Sequence, residues 1–353
     1  MDFPIFKTKI DGSDKTFDLT DPAQRQAYFE YKAGPEIKKL QEYLKQNTFI
    51  VYLLGKKSSG KGTYSKMLKE IIDPEKIEHL SVGDMIRSFD EVLKNPQQKQ
   101  ELIDFLHKKY RGPVSVDDII KAMEGRSTKV LLPSELILAL TEREITRMGR
   151  KAIFLDGFPR DMDQVSYSLF FKNLVDYRQD PDIFVLIDVP TQVIDERVKY
   201  RVICPKCNTS RNIKLLPTKN IQHKDGKFYL ACDNPQCTGT RMVTKEGDEE
   251  GIGPIKARLE KDEALMKQIY AMHGISKILL RNSIPKEVVA DYYDDYEITP
   301  EYHYDLDPAG NVKITEKPWE VKNEQGVVCN SLMPPPVVVA LIKQLAAVLD
   351  KPS

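Results

Sequence analysis

The sequence predicts an α/β fold in which a mostly parallel sheet is flanked by helices and interrupted by inserted segments. Three observations carry this. Apolar runs of strand length, at 49–54, 152–156 and 183–189, alternate with stretches of helical periodicity. The first run passes through a Gly/Ser/Lys loop straight into a helical segment. Residues 204–250 then break the rhythm, being rich in Lys, Asn and Thr and carrying cysteines, as an inserted module would.

Taken in order, residues 1–20 are polar and patternless. Asp21-Pro22 reads as a helix cap followed by proline at the first helical position, with Gly34 as the stop. Ile37, Leu40 and Leu44 share one face of a second short helix. The run FIVYLL at 49–54 is apolar throughout, the mark of a strand buried on both faces. A helix is expected over 61–72 and a short strand over 77–81. Ser134 is expected to cap a helix that ends at Gly149, and Thr191 to cap the helix after the strand at 183–189. Pro254 opens a long amphipathic helix. Residues 291–305 hold five tyrosines and six acids, and the turn signal at 307–311 predicts a hairpin-rich extension. Pro334 to Pro336 begin the last helix, which ends near Asp350.

Composition narrows the function. The chain has 353 residues, with 53 basic and 53 acidic side chains, 41% hydrophobic and 30% charged. That is a globular chain and not a disordered one, and it lacks the electrostatic footprint of a nucleic-acid binder. The opening residues contain no apolar h-region and no run approaches a membrane span, so a cytoplasmic protein without a signal peptide is expected.

The loop Gly55-Lys56-Lys57-Ser58-Ser59-Gly60-Lys61-Gly62-Thr63 lies between strand and helix, the context a phosphate-binding loop requires. Its glycines let the backbone curl with N–H groups inward, and the helix N-terminus favours an anion. Lys61 supplies a mobile positive charge for outer phosphates, and the Thr63 hydroxyl can reach Mg2+ or a phosphate oxygen. No Asn-Lys-x-Asp string marks a guanine-nucleotide switch.

Three further strings accompany the loop: His79-Leu80-Ser81-Val82-Gly83-Asp84-Met85-Ile86-Arg87; Asp156-Gly157-Phe158-Pro159-Arg160 with Gln164 beyond it; and Val189-Pro190 leading to Glu196-Arg197 and Arg201. With the G-x4-G-K-G-T form of the loop, they resemble the nucleoside monophosphate kinases, and among these the adenylate kinases with a long, zinc-binding lid. The resemblance spans residues 48–285. It implies a P-loop kinase fold with two insertions, and a reversible, Mg-dependent transfer of phosphoryl from ATP to AMP by a monomer.

The chemistry explains those residue types. Bringing two polyanions together calls for charge neutralisation, alignment and exclusion of water, and guanidinium forks match phosphate oxygens in pairs. By resemblance, Gly55, Ser58, Ser59, Gly60, Lys61, Gly62 and Thr63 cradle ATP, and Arg197 stacks on its adenine. Arg201 and Arg258 grip its outer phosphates. Arg87 and Arg160 hold the AMP phosphate, and Gln164 pairs with the adenine edge. Val82, Gly83, Gly157, Phe158 and Pro159 line that site, and Val130, Leu131 and Leu132 pack on the AMP adenosine. Asp156 orients Mg2+ through water. The loop receiving the ATP base is expected near Ser331 to Met333.

Departures from the family pattern qualify this picture. Val82 stands where adenylate kinases carry Thr and pyrimidine nucleotide kinases Ala, so Gln164 carries most of the case for adenine over UMP or CMP. The family's second lid arginine has no clear match; Lys245 is one placement, facing the AMP side with Arg258, and Arg241 the rival. Forty-four residues separate Arg87 from Leu132, longer than the usual AMP lid, so an added helical hairpin is expected around 90–127.

Cys204, Cys207, Cys232 and Cys237 form two close pairs separated by 24 residues. Four thiolates make a closed tetrahedral Zn2+ site, structural because no coordination position stays open. A lid of polar residues cannot build its own core, and metal takes that role. Cys329 stands alone and reads as a small buried apolar residue. The expected organisation is an N-terminal helical extension (1–47), core (48–81), AMP lid with insertion (82–133), core (134–201), zinc lid (202–250), and core with the C-terminal extension (251–353). A non-catalytic zinc and nucleotide binder is the alternative from another class.

Overall fold

The computed structural model describes residues 1, 3–124, 132–160, 164, 180–237, 239–245 and 247–350. Among them, the chain forms a central sheet from β1 (Ile50–Gly55), β2 (Ile77–Ser81), β3 (Ala152–Asp156), β4 (Asp182–Asp188) and β10 (Ser276–Arg281). Their order is β10-β4-β1-β3-β2, all parallel. Parallel strands need crossovers, and the helices Lys61–Ile72, Ser134–Met148, Thr191–Lys199, Lys256–Ala271 and Pro334–Leu349 cover both faces. The strand at the centre, β1, is buried at every position, as its unbroken apolar run requires. One core lies on each side: Val51, Leu53 and Val185 face the last helix, while Tyr52, Leu54 and Leu186 face Leu140 and Ile269.

The N-terminal helix Pro22–Tyr43 starts as expected, with Asp21 accepting from the Gln24 N–H, and it kinks at Ala33 just before Pro35. The two short helices read from sequence are the two halves of this kinked one. Three helices, Val82–Lys94, Pro96–Lys109 and Val116–Glu124, occupy the long segment after β2 where a hairpin was expected. Asn95 breaks the first from the second, its side chain capping Gln97 and Gln98.

Two capping expectations are corrected. Ser134 and Thr191 are each the first helical residue, because Pro133 and Pro190 occupy the preceding cap position with extended backbone. Their hydroxyls instead take tertiary partners: Ser134 Oγ accepts from Gln164 Nε2 at 3.0 Å, and Thr191 Oγ1 donates to Glu324 Oε1 at 2.9 Å.

Residues 204–250 carry β6 (Ser210–Asn212) and β9 (Val243–Thr244), both paired with β5 (Arg201–Ile203), and the hairpin of β7 (Asn220–Lys224) and β8 (Lys227–Ala231). The C-terminal extension comprises β11 (Ser283–Pro285), the hairpin of β12 (Pro300–Leu306) and β13 (Val312–Pro318), then β14 (Glu320–Lys322) and β15 (Val328–Ser331). The hairpin turns at Asp307, as read, and lies against the cysteine module. There Tyr302 N donates to Lys214 O at 2.8 Å, and Lys214 Nζ bridges Glu196 at 2.6 Å and Glu301 at 2.9 Å.

The two ends of the chain meet. The buried Glu297 carboxylate accepts from Tyr28 OH at 2.5 Å, Thr8 Oγ1 at 2.9 Å and the Asp294 N–H at 2.7 Å. Lys32 Nζ bonds Asp294 at 2.7 Å. A carboxylate taken out of water needs such a set of partners. Both extensions therefore wrap the core. Among the described residues, no helix is long and apolar enough to cross a membrane.

Candidate functional site

The loop after β1 is tight. Ser58 has φ +66° and Gly60 φ +103°; a Cβ on Gly60 would lie 2.6 Å from the Tyr64 ring, and one on Gly55 would lie 2.6 Å from Ser59 Oγ. Glycine is required at both positions. Lys61 Nζ donates to Gly55 O at 2.7 Å and Lys56 O at 3.1 Å, and lies 3.9 Å from Asp156 Oδ1. Burial pushes its ammonium below the usual lysine range, against the pull of Asp156 and Asp262. Ser58, Ser59, Gly60, Gly62 and Thr63 line a cup with Lys61, Lys66 and Asp156.

A second hollow adjoins it, lined by Lys61, Asp156, Gly157, Pro159, Arg160, Arg258 and Asp262. Arg160 is fixed by its Nε donating to Gly157 O at 2.8 Å. Burial and then the neighbouring Arg258 hold its guanidinium below the usual arginine range. A Cβ on Gly83 would sit 3.6 Å from Arg87 Nη1 and 3.9 Å from Arg160 Nη2, so both guanidiniums converge on that glycine. Arg87 is exposed and pairs with Asp84. Gln164 is buried; its Oε1 accepts from the Arg160 N–H at 2.8 Å while its Nε2 donates to Ser134. Val82 and Phe158 are core residues, and Leu132 packs against the same core. Val130 and Leu131 lie outside the described residues.

On the other side, Arg197 donates to Ser58 O at 3.2 Å and to Asn282 Oδ1 at 3.1 Å. Ser331 Oγ donates to the same Asn282 oxygen at 3.0 Å, and the Leu332 N–H to Asn282 O at 2.7 Å. The segment 331–333 thus adjoins Arg197 through Asn282. Arg201 makes a two-pronged pair with Asp248 at 2.6 and 2.7 Å. Burial lowers the Lys57 ammonium, and repulsion from Arg258, Arg201 and Lys245 lowers it further. Cationic groups from the inserted module and from the elements flanking it therefore lie near the loop. Lys245 is among them, whereas Arg241 lies over the Tyr229 ring at 4.3 Å.

The sequence reading missed three residues here. Asn282 is fully buried between β10 and β11. Asp262 accepts from the Lys57 N–H at 3.1 Å; burial raises its carboxyl while Lys61 and Arg258 oppose. Lys56 is buried, with Glu263 at 3.3 Å and Glu324 at 3.1 Å. The one available signal was Asp262 lying four residues after Arg258, one helical turn on.

The four cysteines come together with all Sγ atoms within 4.8 Å of one another. The sulfur separations include 3.2 Å for Cys232–Cys237 and 3.7 Å for both Cys204–Cys237 and Cys207–Cys232. Tetrahedral Zn–S bonds would set these edges at about 3.8 Å, so the donor set fits. Hydrogen bonding from Thr209 brings the Cys207 thiol down to about 6, while its bond to Cys232 pushes Cys237 up. A bound cation sharing the charge would let all four ionise.

The AAA domain family model matches residues 54–202. The chain is 30% identical over 233 residues to the adenylate kinase of Thermotoga petrophila, covering 65% of this chain and 88% of the relative. It is 29% identical over 214 residues to that of Hydrogenobaculum, covering 61% of this chain and 83% of the relative. It is 34% identical over 168 residues to that of Clostridium novyi, covering 47% of this chain and 65% of the relative. With its parallel sheet, its phosphate loop and this breadth of likeness, the chain belongs to the adenylate kinase family.

Proposed function

We propose that the protein transfers a phosphoryl group reversibly from ATP to AMP, giving two ADP, with Mg2+ arriving as part of the nucleotide substrate. One observation carries the reading: Lys61, Arg160 and Arg258 converge with Asp156 on a hollow that opens beside the loop cup. Two phosphate chains placed in these neighbouring spaces would meet at Lys61.

The roles follow from charge and reach. Loop N–H groups and Lys61 take the ATP phosphates, with Arg201 and Arg258 on the outer ones. Arg87 and Arg160 take the AMP phosphate, with Gly83 and Gly157 leaving space between them. Thr63 and Asp156 share one cup and would hold Mg2+, directly and through water; the metal neutralises charge on the transferring phosphate. The face of Arg197 serves the ATP base. Gln164, oriented by Arg160 and Ser134, reads the AMP base. Segments 82–133 and 202–250 act as the two lids, which exclude water as a competing acceptor. Arg201 would exchange Asp248 for phosphate, and Lys245 gives the same region a single point charge in place of a fork. The four cysteines hold a structural Zn2+. The protein acts in the cytoplasm as a monomer, without nucleic acid or membrane.

The test is a coupled assay of ADP formation with fixed ATP and AMP, UMP, CMP or GMP as acceptor. AMP should be fastest by at least about a hundredfold, the order that buried hydrogen-bond readout supplies. Faster turnover with UMP or CMP would make this a kinase for another monophosphate, and no turnover would leave only a nucleotide binder.

A further inference from the structure

Glu324 lies in the turn between β14 and β15, in the C-terminal extension and outside every motif of the phosphate site. A single carboxylate oxygen, Oε1, accepts three donors: the Thr191 N–H at 2.8 Å, the Thr191 hydroxyl at 2.9 Å and the Lys56 ammonium at 3.1 Å. The two residues that supply them, Thr191 and Lys56, belong to different walls of the site.

Thr191 begins the helix Thr191–Lys199, and Pro190 before it supplies no capping side chain. The open amides and positive end of that helix therefore meet a carboxylate brought from 133 residues away. The same helix carries Arg197, which is tied to Ser58 O. Lys56 follows Gly55 in the loop, and the carbonyls of these two residues are the ones Lys61 Nζ holds. The Lys56 side chain is only 6% exposed, and a buried ammonium needs ionic partners to stay charged and in place. Glu324 supplies one and Glu263 the other.

We propose that Glu324 is a positioning residue for the ATP side of the site, holding the phosphate loop in register with the helix that bears Arg197. This rests on the reading of the loop as the ATP site. Glu324 acts through Lys56 and Thr191 and makes no contact with the hollow lined by Arg160 and Arg258. The AMP side should therefore be indifferent to it.

The experiment is titration calorimetry of the full chain with ATP alone and with AMP alone, paired with KM measurements for each. Glu324→Ala should weaken ATP about tenfold, the scale of a lost cap and charge-assisted hydrogen bond, while AMP binding stays within about twofold. Glu324→Gln, whose amide oxygen still accepts, should show an intermediate loss of about threefold for ATP. A general structural defect would weaken both nucleotides together, so parallel losses overturn the proposal, as does unchanged ATP affinity in Glu324→Ala. Should that variant not fold, Glu324→Gln decides alone: a loss confined to ATP supports the proposal, and equal effects on both nucleotides overturn it. A wild-type chain that binds no ATP would instead overturn the assignment of the loop itself.

Discussion

The phosphate loop and the cysteine module are both polar, solvent-facing parts of one molecule, yet they are held in opposite ways. The loop hangs between β1, buried in the cores on both faces of the sheet, and the helix Lys61–Ile72, whose Tyr64, Leu68, Ile71 and Ile72 are buried in the larger one. Its shape is set by close packing against Tyr64 and Ile187 and by the Lys61 ammonium turned back on two carbonyls. The module has a small core of Cys204, Leu230, Cys232, Cys237 and Met242, with Val202, Cys207, Ile213 and Ile221 partly buried against it. Burying so few side chains offsets only a fraction of the cost of ordering a backbone of that length. On the proposed reading, one region keeps its fold through hydrophobic burial and should tolerate the loss of a charge, whereas the other should depend on its cysteine ligand set.

The largest effect expected is chemical. Lys61→Ala should lower phosphoryl transfer by roughly a thousandfold, as loss of a preorganised charge at the transferring group does. Its melting temperature should remain within about 3 °C, because the buried sheet is untouched. A large fall in stability with this variant would mean that the loop depends on its charge for its fold. The next effect reverses the pattern. Strong chelation, or Cys237→Ser, should unfold 202–250 to proteases and lower the melting temperature by about 5 °C or more. The central sheet should persist, read by circular dichroism. No change on chelation would remove metal from the account of the module.

The smallest effect lies at the seam between the module and the extension. Burial raises the Glu301 carboxyl, but hydrogen bonding to Lys214 and the charges of Lys214 and Lys317 outweigh it, holding the group below its ordinary value of 4.5. A depressed folded value contributes stability that is present above the unfolded one and lost as pH falls through the folded one. Glu301→Gln should therefore flatten the acid limb of the stability profile below about pH 4.5, by about 0.5 kcal/mol for a partly exposed pair. An unaltered limb would mean that the hairpin contributes nothing through this contact.

Much of this was legible because local signals and tertiary context agreed. The run at 49–54, the loop and the helix over 61–72 fall where their apolar pattern and glycines put them. The cysteine spacing foretold the cluster. Ser134 and Thr191 were misread by one position because a preceding proline takes the cap geometry and frees the hydroxyl for a distant partner. Glu324 was illegible for a different reason. Nothing local to Asn323, Glu324, Gln325 and Gly326 signals that one carboxylate will reach Lys56. Asn282 and Asp262 likewise acquire meaning only when the topology brings β10 and the helix Lys256–Ala271 beside the loop. Sequence patterns report what an element does for itself, and these side chains serve other elements.

The central claim is that one continuous cleft holds two nucleotides with their phosphates end to end at Lys61. Calorimetric titration with diadenosine pentaphosphate, a single molecule carrying both adenosines and the joined phosphates, tests this most directly. One molecule should bind per chain, far more tightly than ATP or AMP separately, and it should displace both. Two molecules per chain, or displacement of ATP with AMP still bound, would contradict the claim.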